Sequence, residues 1–174
     1  MRGRYRVGDA VEEFSCGAGP QGWRYVGSRD GDSLDLTVDE VGRCVRLLAS
    51  FDGWDVRGGS VGEEVLWTRG EDDHVAVAAG FTSSSPAFDL ATARLLGLEV
   101  GESRQLVLVQ LSDPVGAALT VTHAWLRTES LEPDVSRFEV ADLATGDRWV
   151  LHLSGGVLVS REGSRSAHLV SLTR

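Results

Sequence analysis

One stretch, GFTSSSPAFDLATARLLGL (residues 80–98), constrains the fold of this chain more than any other. It predicts a helix over about 85–96. Ser84 or Ser85 supplies an N-cap and Pro86 suits the first turn. Asp89 and Arg94 match the two ends of the helix dipole, and Gly97 is a natural C-cap. At about 100° per residue, Phe88, Ala91 and Leu95 share one face, while Leu90 and Ala93 fall opposite. Only Asp89, Thr92 and Arg94 are polar. A surface helix carries one apolar stripe, whereas one that is apolar nearly all round belongs inside. A flat sheet covers one side of a helix, so covering several sides requires a sheet that curls around it.

The rest of the chain supplies such a sheet. Twenty-one glycines cut it into short segments, and the pattern between them has period two. SLDLTVDE alternates Leu34, Leu36 and Val38 with Asp35, Thr37 and Asp39, as a half-buried strand does. DEVGR reads as a hairpin turn with Gly42 at positive φ, FDGW as another at Gly53, and TRGEDDH as a third at Gly70–Asp73. SRQLVLVQLS is apolar on both faces and reads as a central strand covered on both sides. In LTVTHAWLRT, Val121, His123, Trp125 and Arg127 share one face. SLEPDVS (130–136) reads as a surface loop. These segments give about ten strands in hairpin order. The expected fold is mainly β (α+β), an antiparallel, strongly curved half-barrel meander around one central helix. A single β-rich domain is expected over 1–174, with 1–18 as a loosely ordered N-terminal arm.

Composition narrows the function classes. Seventeen basic residues against 26 acidic ones give a net charge of −9, which disfavours nucleic acid and anionic membranes as partners. The chain has no Lys, Ile or Asn, the mark of a GC-rich bacterial genome, so its arginines are not individually informative. Cys16, in a Gly-rich loop, and Cys44, on an apolar strand, form neither a disulfide framework nor a zinc site. With no signal-like N-terminus and no apolar run near the ~18 residues of a membrane span, a cytoplasmic location without stable membrane insertion is expected. His74, His152 and His168 show no metal-ligand spacing, and SSS (83–85) is no nucleophile elbow. No metal, cofactor or catalytic residue is assigned.

The segment FTSSSPAFDLATARLLGLEVGESRQLVLVQLSDP resembles the signature region of a bacterial glycolipid-binding family. The matches are Ser85-Pro86, Arg94-Leu95 and the GLEVGE turn at 97–102. GWDVRGG (53–59) and GDRWVLHLSGGVLVSREG resemble flanking strands of that family. Where the family has an Asn-Thr-Leu-Pro run, this chain reads FDLAT. The resemblance spans roughly 20–172. It implies a spiralled half-barrel around a helix, similar to periplasmic lipoprotein carriers and to the cofactor-free violacein-pathway enzyme. It also implies a lipid-like or glycolipid-like ligand.

Tryptophan joins a flat apolar face to one donor, which suits the lining of a pocket for an amphiphile. WDVR, WTR and WLR place such faces beside cations. The expected lining is Trp54, Arg57, Trp67, His123, Trp125 and Arg127. The first functional reading is binding of an amphipathic small molecule between helix and sheet. A cofactor-free enzyme using His123 and Arg127, and an interaction module using the concave face, stay open, as does a homodimer.

Overall fold

A computed structural model describes residues 1–20, 22–51, 54–111, 119–164 and 166–173. The turn expected at Gly53 lies outside the described residues. The first eight strands are β1 (Arg2–Val7), β2 (Ala10–Gly19), β3 (Gly22–Arg29), β4 (Asp32–Val38), β5 (Cys44–Phe51), β6 (Trp54–Val61), β7 (Glu64–Arg69) and β8 (Asp72–Val77). After β9 (Gly80–Thr82) comes α1 (Pro86–Leu96). The chain then forms β10 (Ser103–Gln110), β11 (Leu119–Thr128), β12 (Ser136–Asp142), β13 (Arg148–Ser154), β14 (Val157–Gly163) and β15 (Ala167–Thr173).

All fifteen described strands belong to one curved sheet, ordered β8-β7-β6-β5-β4-β3-β2-β1-β15-β14-β13-β12-β11-β10-β9. It is two antiparallel meanders joined where β1 pairs with β15. The mainly β, helix-centred architecture is therefore present, and the sheet is not closed. Register shifts at Arg4/Tyr5, Thr37/Val38 and His152/Leu153 mark β-bulges, which sharpen local bend and twist.

The topology accounts for the helix. β9 pairs with β10 in parallel, and parallel neighbours need a crossover connection rather than a tight turn. The helix is that crossover. Ser85 caps it, accepting from the Ala87 N–H at 3.3 Å; Pro86 opens it, and Gly97 closes it in the left-handed region at φ 52°. Residues 86–92 and Leu96 are buried. Burying a large apolar side chain contributes about 1.5–3 kcal/mol, so Phe88, Leu90 and Leu96 hold the helix against the concave face.

Four expectations need correction. Residues 1–18 are not a loose arm, because β1 and β2 sit mid-sheet, paired with each other and with β15 and β3. Period-two alternation buries Tyr5, Val7, Phe14 and Cys16 while Arg2, Arg4 and Arg6 face water. Cys16 thus lies in a strand rather than a loop. β10 is next to the sheet edge rather than central, and Val107 on its outer face stays 36% exposed. The strand count rises from about ten to fifteen because residues 2–29 form β1, β2 and β3, and the small-residue stretch after Gly70 divides into β8 and β9.

Buried polar groups fasten the helix start to the sheet. Glu12 Oε1 on β2 accepts from Tyr25 Oη (2.6 Å) and Ser85 Oγ (2.7 Å). Arg161 on β14 donates through Nη1 to Asp89 Oδ2 (2.7 Å) and through Nη2 to the Ser84 carbonyl (2.7 Å). Burial pushes the Glu12 carboxyl above the ordinary carboxylate range, against the lowering effect of its two hydroxyl donors.

Candidate functional site

The sheet closes tightly on the first turns of α1 and leaves room at the last. There a cavity of about 300 Å³ opens between the helix and strands β12 and β13. Leu90, Leu98, Phe138 and Leu153 form apolar walls; Arg94 and Arg127 bring positive charge, and Ser136 and Ser154 bring hydroxyls. Gly155 and Gly156, both at positive φ (57° and 83°), make the two-residue turn between β13 and β14 that forms one side.

Arg127 is held in place by the turn after the helix. The Gly101 N–H donates to the Arg127 carbonyl (2.8 Å), and the Arg127 N–H donates to the Glu102 carbonyl (3.0 Å). The guanidinium donates through Nη1 to the Leu98 carbonyl (2.6 Å) and through Nη2 to Ser136 Oγ (3.3 Å). Its Nε is buried without a hydrogen-bond partner. The GLEVGE turn at 97–102 therefore clamps an arginine at the cavity. Arg94 reaches the same cavity from the helix, its guanidinium 5.0 Å from the Trp23 ring centroid. Partial burial lowers its pKa from the ordinary guanidinium value, but a guanidinium remains a cation at neutral pH. A Cβ on Gly156 would lie 3.2 Å from Arg94 Nη2, so glycine there leaves the guanidinium its space. Among the described residues neither Arg94 nor Arg127 forms an ion pair, whereas Arg24, Arg46, Arg137 and Arg161 do.

Of the six residues expected to line a pocket, this cavity contains Arg127. Trp125 and His123 share its strand face but are packed away. Trp125 is 1% exposed and meets Phe138 edge-on at 5.9 Å. His123, equally buried, meets Trp149 edge-on at 5.1 Å, and its Nε2 lies 4.0 Å from Asp142 Oδ2. Asp142 is itself engaged, accepting the N–H groups of Ala144 and Thr145 in the β12–β13 turn. His123 is a core histidine. Trp54 lies under Arg69, whose guanidinium sits 4.1 Å from the ring centroid, so its cation comes from the next strand rather than from Arg57. Trp67 stacks on His74 at 5.2 Å. Arg57 and Trp67 border an outer-face groove beside Val45, Leu66 and Val75. A further apolar pocket, about 350 Å³, lies at the open seam between β8 and β10, beside Leu95, Leu106 and Val107.

Reading the sequence alone missed Arg94, Ser136, Ser154 and the Gly155–Gly156 turn as site residues. One signal was present: a charged side chain on a helix apolar nearly all round must find either a buried partner, as Asp89 does in Arg161, or an opening, as Arg94 does.

No family model matches the chain, and no curated protein does. A solved structure does match: the crystal structure, at 1.80 Å resolution, of a DUF1089 family protein from Pseudomonas aeruginosa, with a TM-score of 0.60. It is 14% identical and the match covers 91% of this chain and 88% of that one. What they share is the fold. None of the helices among the described residues is long and apolar enough to cross a membrane.

Proposed function

We propose that the protein binds a small amphipathic molecule in the cavity at the C-terminal end of α1. The observation that carries this reading is the convergence of Arg94 and Arg127, neither in an ion pair among the described residues, on a cavity walled by Leu90, Leu98, Phe138 and Leu153. Ligand sites characteristically combine an apolar lining with a few placed polar groups. A cavity of about 300 Å³ is at the small end of the usual range, about 300–1,000 Å³. It fits a head group and a short apolar stem rather than a whole two-chain lipid. The resemblance to the glycolipid-binding family points the same way.

An enzyme reading has less support, because of the two polar groups it would use, His123 and Arg127, only Arg127 lines the cavity and His123 is packed in the core. Native mass spectrometry of the purified protein, joined to a thermal-shift panel of single-chain lipids and detergents, tests the binding reading. A retained hydrophobe, or a stabilised midpoint with at least one amphiphile, is expected. Repeated recovery of ligand-free protein with no shift across the panel overturns it.

A further inference from the structure

We infer that the head group this cavity selects is acidic, a singly charged oxyanion such as a carboxylate, a sulfate or a phosphodiester. The inference rests on the binding reading above and specifies its ligand.

Four local charges compete. Arg94 and Arg127 each contribute a full positive charge. The C-terminal end of α1 carries roughly half a negative charge, and part of it is already met where Arg127 donates to the Leu98 carbonyl. Asp134, an exposed loop residue at φ 62°, adds one carboxylate at the rim. Two full positive charges outweigh these, so the cavity stays positive although the whole chain carries −9. Distant acidic side chains matter little at contact, because salt screens exposed charges beyond about 8–10 Å.

The donors point to the same class. The Arg94 side chain makes no hydrogen bond among the described residues, and its guanidinium lies over the face of Trp23. Its planar fork is therefore available, and that geometry matches the paired oxygens of a carboxylate or phosphate. Arg127 spends Nη1 on the Leu98 carbonyl and Nη2 on Ser136 Oγ, and its Nε is buried, so it brings positive charge rather than a free donor. Ser136 Oγ accepts from Arg127, which leaves its own proton free to donate onward. A cationic head would instead face two guanidinium groups. A neutral sugar would leave the charge of both unanswered.

Equilibrium titration with octyl-chain probes below their micelle concentrations tests this, read by Trp fluorescence and calorimetry. The probes are octanoate, octyl sulfate, octyl glucoside and octyltrimethylammonium. The two anions should bind at least about tenfold more tightly than the other two, the scale of one charge-assisted hydrogen bond. Arg94→Gln should lower octyl sulfate affinity about fivefold to tenfold and leave octyl glucoside within twofold. Asp134→Asn should tighten the anions. Should Arg127→Gln fail to fold, Arg94→Gln and Asp134→Asn still decide. Equal or tighter binding of the glucoside or the ammonium overturns the acidic head and leaves the cavity reading standing. Failure of all four probes to bind overturns both.

Discussion

Arg161 Nη1 donates to Asp89 Oδ2 across 2.7 Å, with the two side chains 1% and 7% exposed. The pair joins the last third of the chain to the first turn of the helix. Arg161 also donates to the Ser84 carbonyl just ahead of the cap, so one guanidinium fixes both where the helix begins and how it enters the sheet.

Breaking such a pair from one side leaves a buried charge, which costs about 3–5 kcal/mol, whereas replacing both partners by apolar groups is often near neutral. Asp89→Leu and Arg161→Met should each lower unfolding stability in urea by about that amount. The double variant should recover at least half of the larger single loss. Additive losses would show that the two residues act separately.

Glu12 predicts a pH dependence of stability. Burial raises its folded-state pKa above the unfolded value, so the folded protein binds more protons than the unfolded chain between those two values. By linkage, this group's contribution is fullest below the ordinary carboxylate range and is lost as pH rises through the raised folded value. Glu12→Gln keeps an acceptor for Tyr25 and Ser85 and removes the ionisation. The variant should gain stability over the parent as pH rises from 5 to 8, measured by urea midpoints. A gap that narrows over that range would contradict the assignment.

Gly42 sits in the β4–β5 turn at φ 86°, and a Cβ there would overlap the backbone at Arg94 and Leu95. Gly42→Ala combines a strained conformation with overpacking, each costing about 1–3 kcal/mol. Its loss in a denaturation series should exceed that of Gly8→Ala, which is also at positive φ but in open space.

The Gly155–Gly156 turn separates strain from ligand geometry. Both residues have positive φ, yet only a Cβ at Gly156 approaches Arg94 Nη2. Gly155→Ala and Gly156→Ala should cost similar stability, about 1 kcal/mol. Only the second should weaken octyl sulfate binding, by about threefold or more. Equal effects on binding would mean that the turn does not position Arg94.

The helix was legible because its signals are local. Ser85, Pro86 and Gly97 act within one turn of themselves, and the all-round apolarity of residues 86–96 already required a curled sheet. Gly42 likewise announced its turn. The strand at the N-terminus was harder to read, because Tyr5 and Val7 carry its period between the exposed Arg2, Arg4 and Arg6 over only six residues. Glu12 resists reading altogether: it occupies an inward position of β2, and its partner Ser85 is 73 residues away. Asp89 and Arg161 are 72 apart. The cavity failed for a related reason. Its walls come from α1, the turn after it and strands β11–β13, so no short stretch displays it. Tryptophan-arginine adjacency within one strand proved a poor guide, since Trp54 takes its cation from Arg69 and Trp23 from Arg94.

The most direct test of the account is where an amphiphile binds. Backbone amide shifts recorded during titration with octyl sulfate should move at Arg94, Gly97, Leu98, Arg127 and Ser154–Gly156, which surround the cavity. They should stay still at Gly59, Leu66 and Val75, which border the outer groove. Shifts confined to the outer groove, or saturable binding that leaves the Arg94–Leu98 amides unmoved, would contradict it.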